Sequence, residues 1–132
     1  MILVDSSILI GYFKGLKGDP YDKLDTFIEN EIPFGISNHI YQEVLQGAKN
    51  EKEFKLLREY LDAVDIYDLL YGKKSYERAA LMYYKCRKAG ITPRSTVDMI
   101  IAQTAIDNNL ILYHDDKDFV QISKVIRELK LL

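Results

Sequence analysis

The chain has 132 residues, a length that fits one domain, and 48% of them are hydrophobic, enough for a core without disulfide staples. Its single cysteine, Cys86, excludes an intramolecular disulfide framework and a CxxC-type zinc site, and no apolar run approaches the ~20 residues that span a bilayer. The formal net charge of −2 lacks the basic excess of a typical nucleic-acid binder, and Met1 to Asp5 carry neither the basic nor the long apolar segment of an export signal. The expectation is a single cytoplasmic domain over residues 1–132 with no membrane contact.

Hydrophobic periodicity then gives alternating elements. Ile2-Leu3-Val4 reads as a buried strand ending in Asp5, and Ser6-Ser7 lead into a short helix over Ile8 to Ile10 that stops near Gly11 or Gly15. Pro20 to Glu31 reads as a helix with proline in its first turn, and Pro33 to Ser37 as a second strand. Ser37 or Asn38 caps a helix through Val44-Leu45 that ends at Gly47. Glu51 to Leu61 is amphipathic, and Val64 to Tyr67 is a third strand. Ser75 to Lys88 is the clearest helix: Ala79, Met82, Tyr83 and Cys86 share one stripe, and Lys74, Arg78, Lys85 and Lys88 lie roughly opposite. Thr96 to Asn108 is apolar on more than one side, Leu110 to Tyr113 is a fourth strand, Asp118 is placed to cap a last helix, and Leu129 to Leu132 form a marginal fifth strand. Strands alternating with helices predict an α/β domain with a mainly parallel sheet of four or five strands, whose ligands bind beyond the carboxyl ends of the strands.

Charge is segregated. Lys73 to Arg94 hold seven basic residues against one acid, and Asp98 to Asp118 hold five aspartates against one lysine. Asp5 follows the first strand and Asp115-Asp116 the fourth, while Glu43 and Asp98 lie near core faces of helices. Each has an ordinary explanation, as a cap, a dipole-favoured first-turn acid or a polar loop. Together they converge on one crevice, where clustered carboxylates repel unless a cation compensates. Mg²⁺ and Mn²⁺ take oxygen ligands, and the implied chemistry is metal-assisted phosphodiester hydrolysis.

Val4-Asp5-Ser6-Ser7 running on to Ile10 resembles the opening motif of PIN-domain nucleases. Ile36-Ser37 with Glu43 to Gly47 resembles the second motif, Asp98 to Ala102 the third, and Leu112 through Asp116 to Asp118-Phe119 the fourth. The lead-in from Arg94 to Val97 is most similar to VapC toxins of type II toxin–antitoxin systems. The resemblance implies a three-layer α/β/α fold and an endoribonuclease that uses Mg²⁺ or Mn²⁺ on tRNA or rRNA. It further implies a cognate antitoxin and a homodimer. Carried over, Asp5, Glu43, Asp98 and Asp116 match the catalytic, metal-binding acids, Asp118 a further acid of some relatives, and Ser7 a supporting hydroxyl. His114 departs from the Thr or Ser usual at its position.

His39, four residues before Glu43, offers a His/Glu pair, though an oxygen-rich site leaves it a surface or capping role. Tyr12 and Tyr113 are candidates to stack bases. Arg94, Lys74, Arg78, Lys85 and Lys88 are candidates to contact RNA phosphate or an antitoxin. Position 7 is serine, so the Asp-x-Asp of haloacid-dehalogenase-type phosphatases is absent, and no GxGxxG or GxxxxGK occurs. The alternatives are an RNA-processing PIN nuclease without an antitoxin and an inert PIN-like interaction module.

Overall fold

Each apolar run forms the element its period predicts. The computed structural model describes residues 1–132. In chain order the elements are β1 (Ile2–Val4), α1 (Ser6–Phe13), α2 (Asp19–Glu29), β2 (Phe34–Ser37), α3 (Asn38–Gln46) and α4 (Glu51–Asp62). They continue with β3 (Asp65–Tyr67), α5 (Lys73–Lys88), α6 (Thr96–Asp107), β4 (Ile111–Tyr113), α7 (Lys117–Val125) and β5 (Lys130–Leu131).

Side-chain caps explain several boundaries. The Ser37 hydroxyl accepts the Ile40 N–H to start α3, and the Asn50 side chain accepts the Glu53 N–H to start α4. α7 is capped by Asp116, whose carboxylate accepts the Asp118 N–H, so Asp118 sits in the first turn and is not the cap. α5 starts at Lys73, two residues before the predicted Ser75, because Gly72 supplies a φ of 54° at its N-cap.

The strands form one sheet in the order β3-β2-β1-β4-β5, and every pairing is parallel. Leu3 at the centre of β1 pairs with Gly35 on one side and Leu112 on the other. Gly35 has to be glycine: a Cβ there would meet the Tyr67 ring at 2.3 Å and the Asp65 carbonyl oxygen at 2.9 Å. Right-handed crossovers put α1 to α4 on one face of the sheet and α5 to α7 on the other, giving three layers. Leu3, Val4, Ile36 and Leu112 are fully buried between them, with Ile8, Leu9, Ile40, Ile101 and Phe119 from the helices. Tyr113 belongs to this core as well. It is 5% exposed, edge-on to Phe27, with its hydroxyl donating to the Pro20 carbonyl, and so cannot stack bases.

The loop before α5 is anchored by Asp107 at the end of α6. Its carboxylate accepts the Leu70 N–H at 3.0 Å, the Ser75 hydroxyl at 2.6 Å and the Gln103 amide at 2.8 Å.

From β1 the chain moves outward to β2 and β3, then returns to β4 on the other flank of β1. The carboxyl ends of β1 and β4 therefore flank the topological switch point, where α/β sheets open a crevice.

Candidate active site

Asp5 stands at that point because β1 ends there and α1 begins. It is the N-cap of α1, 4% exposed, and its Oδ2 accepts both the Ser7 N–H at 3.2 Å and the Ser7 hydroxyl at 2.6 Å. The same hydroxyl accepts the Asp115 N–H at 3.1 Å, tying the end of β1 to the loop after β4. Burial raises the Asp5 pKa, against the Ser7 hydrogen bonds that lower it, and the nearby Asp116 charge adds to the rise.

Glu43 enters from α3, one residue before the buried Val44-Leu45 pair. Its Oε2 accepts the buried Ser6 hydroxyl at 3.0 Å. Burial raises its pKa, and the Asp5 charge adds to that while His39 opposes it. Ser6 is therefore a site residue that the sequence reading treated only as part of the helix start. Its one available signal was its place directly after a strand-ending aspartate.

Asp98 lies in the first turn of α6, behind the Ser95 cap. Its pKa is pushed up to about 7, first by burial and then by the charges of Asp116, Asp5, Asp118 and Glu43. The other four acids are thus near enough for their charges to act on Asp98.

Asp116 and Asp118 complete the ring. The Asp116 N–H donates to His114 Nδ1 at 3.0 Å, which requires a lone pair there and hence the neutral Nε2–H tautomer. Burial lowers the His114 pKa despite the surrounding aspartates, which agrees with a neutral imidazole, and its ring lies edge-on to Phe119. His114 thus orients the β4–α7 loop where a Thr or Ser was expected.

Arg94 is the one cation in contact with the acids. Its Nε donates to Asp118 at 2.9 Å and its Nη2 to Asp116 at 3.4 Å, with the side chain 76% exposed. This separates it from the basic face of α5, with which the sequence reading grouped it. There Lys74 pairs with Glu77 at 3.3 Å, and the Arg78 guanidinium lies 4.9 Å from the Tyr71 ring centroid. Arg78 and Lys85 line a depression beside Ile106, Ile126 and Glu128 that includes none of the five acids. Tyr12 is also committed elsewhere: its hydroxyl donates to Asp25 at 2.6 Å, which pushes its pKa up to about 12.

The donor set is all oxygen, as hard divalent cations require. No three of the acids converge tightly enough to form a finished cage. An open ring of this kind suits Mg²⁺, which keeps waters and substrate oxygens alongside one or two carboxylates. Burial raises Asp98 most, and the neighbouring carboxylate charge that adds to the rise is the charge a cation would compensate.

The chain as a whole resembles known proteins. The chain is 27% identical over 129 residues to Ribonuclease VapC11 of Mycobacterium tuberculosis and to a VapC ribonuclease of Mycobacterium bovis, in each case covering 95% of this chain and 93% of the relative. A toxin–antitoxin complex from Klebsiella pneumoniae superposes with a TM-score of 0.71 at 25% identity, over 99% of this chain and 100% of that one. VapBC2 from Rickettsia felis, bound to a DNA fragment from its promoter, superposes with a TM-score of 0.75 at 18% identity, over 100% of this chain and 98% of that one. The PIN domain model itself matches residues 2–125, which span all five acids and the sheet from β1 to β4, and the chain belongs to the PIN-domain family.

Proposed function

We propose that the chain is a metal-dependent endoribonuclease acting as the toxin of a toxin–antitoxin pair, with residues 1–132 as a single nuclease domain. The observation that carries this reading is positional: acids from four separate segments, Asp5 after β1, Glu43 on α3, Asp98 at the start of α6 and Asp116 after β4, lie near enough for their charges to act on one another. Asp5, Glu43, Asp98 and Asp116 are the residues that would hold Mg²⁺ or Mn²⁺, with Asp118 as a further ligand. Bound there, such a cation supplies an activated water and charge stabilisation of the leaving oxygen.

The chain's own contribution is placement. Ser7 holds Asp5, Ser6 holds Glu43 and His114 holds the turn carrying Asp116, so the carboxylates are aimed before substrate arrives. Asp98, raised by burial and neighbouring charge, would have to be ionised to hold a cation, so metal affinity is expected to rise with pH. Arg94 uses Nε and Nη2 on the acids and keeps Nη1 for an RNA phosphate oxygen.

The toxin–antitoxin complexes among the structural neighbours support a protein antitoxin as partner. Exposed Leu56, Leu70, Leu81 and Tyr84 supply apolar surface for that partner or a second copy. No helix is long and apolar enough to cross a membrane, and action on tRNA or rRNA in the cytoplasm is part of the proposal.

The test is incubation of purified protein with total tRNA and rRNA in Mg²⁺, Mn²⁺ or EDTA, beside Asp5→Asn and Asp98→Asn. Discrete products that need metal and are reduced at least about a hundredfold in both variants are expected. Cleavage that survives EDTA, or wild-type activity in either variant, refutes the assignment.

A further inference from the structure

Two depressions of about 350 and 340 Å³, each near the lower end of the roughly 300–1,000 Å³ typical of ligand pockets, are lined by none of the five acids but include Arg94 and His39, which act on them. Their linings share Tyr76 and Ile100, so the two adjoin as halves of one groove with Tyr76 between them. The first half lies between α5 and α6, floored by Tyr83, Pro93 and Met99, and ends at Arg94, the residue that holds Asp116 and Asp118. The second half ends at His39, one helical turn before Glu43 and close enough for its charge to act on that carboxylate. The groove therefore runs from one margin of the acid cleft to the other.

Its chemistry is selective. The lining of the first half includes one cation, Arg94, and no acid, with the Arg87 guanidinium 5.8 Å from the Tyr83 ring centroid, while the second half has one acid, Asp68, whose carboxylate accepts the Asn38 amide at 2.7 Å. Lys73 and Lys74 are exposed beside Gly72, which lines the second half. Tyr76 is 53% exposed, and its hydroxyl makes no hydrogen bond to the protein that would fix the ring elsewhere. An aromatic platform, apolar floor and flanking cations are the parts from which single-strand nucleic-acid tracks are built. Stacked duplex bases cannot enter a side pocket, whereas unpaired ones can.

We propose that this groove binds the unpaired nucleotides next to the scissile phosphate of a single-stranded RNA segment, with Tyr76 stacking a base and Arg94 contacting the backbone. Tyr76 is thus a substrate-binding residue outside the carboxylate set. The proposal rests on the ribonuclease reading for its choice of ligand, but binding is measurable without cleavage.

The test is fluorescence anisotropy of a labelled eight-nucleotide single-stranded RNA in EDTA, for wild type, Tyr76→Ala and Tyr76→Phe, repeated with an abasic oligomer of the same length. Tyr76→Ala weakens RNA binding roughly tenfold, the scale of one lost base–aromatic stack, and Tyr76→Phe stays within about twofold of wild type. On the abasic oligomer the three proteins bind alike. Equal RNA affinity in wild type and Tyr76→Ala overturns the proposal and leaves the groove as a surface for a protein partner. An equal loss on the abasic oligomer overturns the stacking role. Cleavage by wild type is scored separately. Tyr76-dependent binding without any cleavage sinks the ribonuclease reading alone, and cleavage with Tyr76-independent binding and an unchanged KM sinks this proposal alone. Tyr76 is exposed, so melting curves of all three proteins are expected to coincide.

Discussion

At the scale of single residues, three of the acids, Asp5, Glu43 and Asp116, each have a hydrogen-bonded neighbour. The Ser7 hydroxyl links Asp5 to the Asp115 N–H, Ser6 steadies Glu43, and the His114 ring accepts the Asp116 N–H. His114→Ala strips an acceptor from a partly buried N–H, at about 1–3 kcal/mol, and loosens the turn carrying Asp116. Cleavage is expected to fall about tenfold or more while circular dichroism still reports a folded chain, and His114→Asn, which retains an acceptor, recovers part of the activity. Full activity in His114→Ala would mean that Asp116 is placed without it. The acids were singled out in the sequence because they fall near strand ends or core faces of helices and so converge, although each alone has an ordinary role as a cap, a first-turn acid or part of a polar loop. Ser6 was not, since its partner is 37 positions away and a serine at a helix start already has a local explanation. Arg94 was misgrouped for a similar reason: charge counting along the chain cannot tell that one arginine turns toward Asp118.

At the scale of elements, two acids have double duty. Asp5 caps α1 and Asp116 caps α7, so their structural and chemical explanations are both true. This yields a separation. Asp116→Asn retains a capping side chain and removes the charge, so cleavage is lost at nearly unchanged stability. Asp116→Ala loses cleavage and also about 1 kcal/mol of stability, visible in urea denaturation midpoints. Equal stability in the two variants would show that the cap contributes nothing. Asp107 is a purely structural counterpart. Burial disfavours its charge, but hydrogen bonds from Ser75, Gln103 and Leu70 outweigh that and lower its pKa. Its stabilisation is present above the ordinary carboxylate range and fades on acidification through the lowered pKa. Asp107→Ala leaves three donors without their acceptor and should cost about 2 kcal/mol by the same denaturation, with a smaller cost at low pH. Element identity was readable from periodicity throughout. The ends were less so: α5 begins where Gly72 adopts a positive φ, and Tyr113 turns inward to Phe27, neither of which has a local pattern.

At the scale of the whole molecule, the parallel sheet brings together residues from the start, middle and end of the chain. Asp5 and Asp116 are neighbours because β1 and β4 pair in register, and Glu43 and Asp98 reach them from opposite helical layers. That convergence concentrates negative charge in a chain whose net charge is only −2. The fold therefore keeps a destabilised cluster at its crevice, as functional sites commonly do. Asp98 records the effect. Its folded pKa of about 7 lies above the ordinary value of 3.8, so the native state holds a proton that the unfolded chain releases. Stability tied to Asp98 is thus present at acid pH and lost as pH rises through the interval from 3.8 to about 7.

The central claim is most directly tested by thermal unfolding of wild type and Asp98→Asn across pH 4 to 8, in EDTA and in Mn²⁺. In EDTA the variant is expected to gain on the wild type steadily as pH rises. In Mn²⁺ above pH 7 the wild type should recover and overtake it, because the cation binds the folded state and supplies the missing charge. A difference between the two proteins that stays constant with pH, with neither responding to Mn²⁺, would contradict the account.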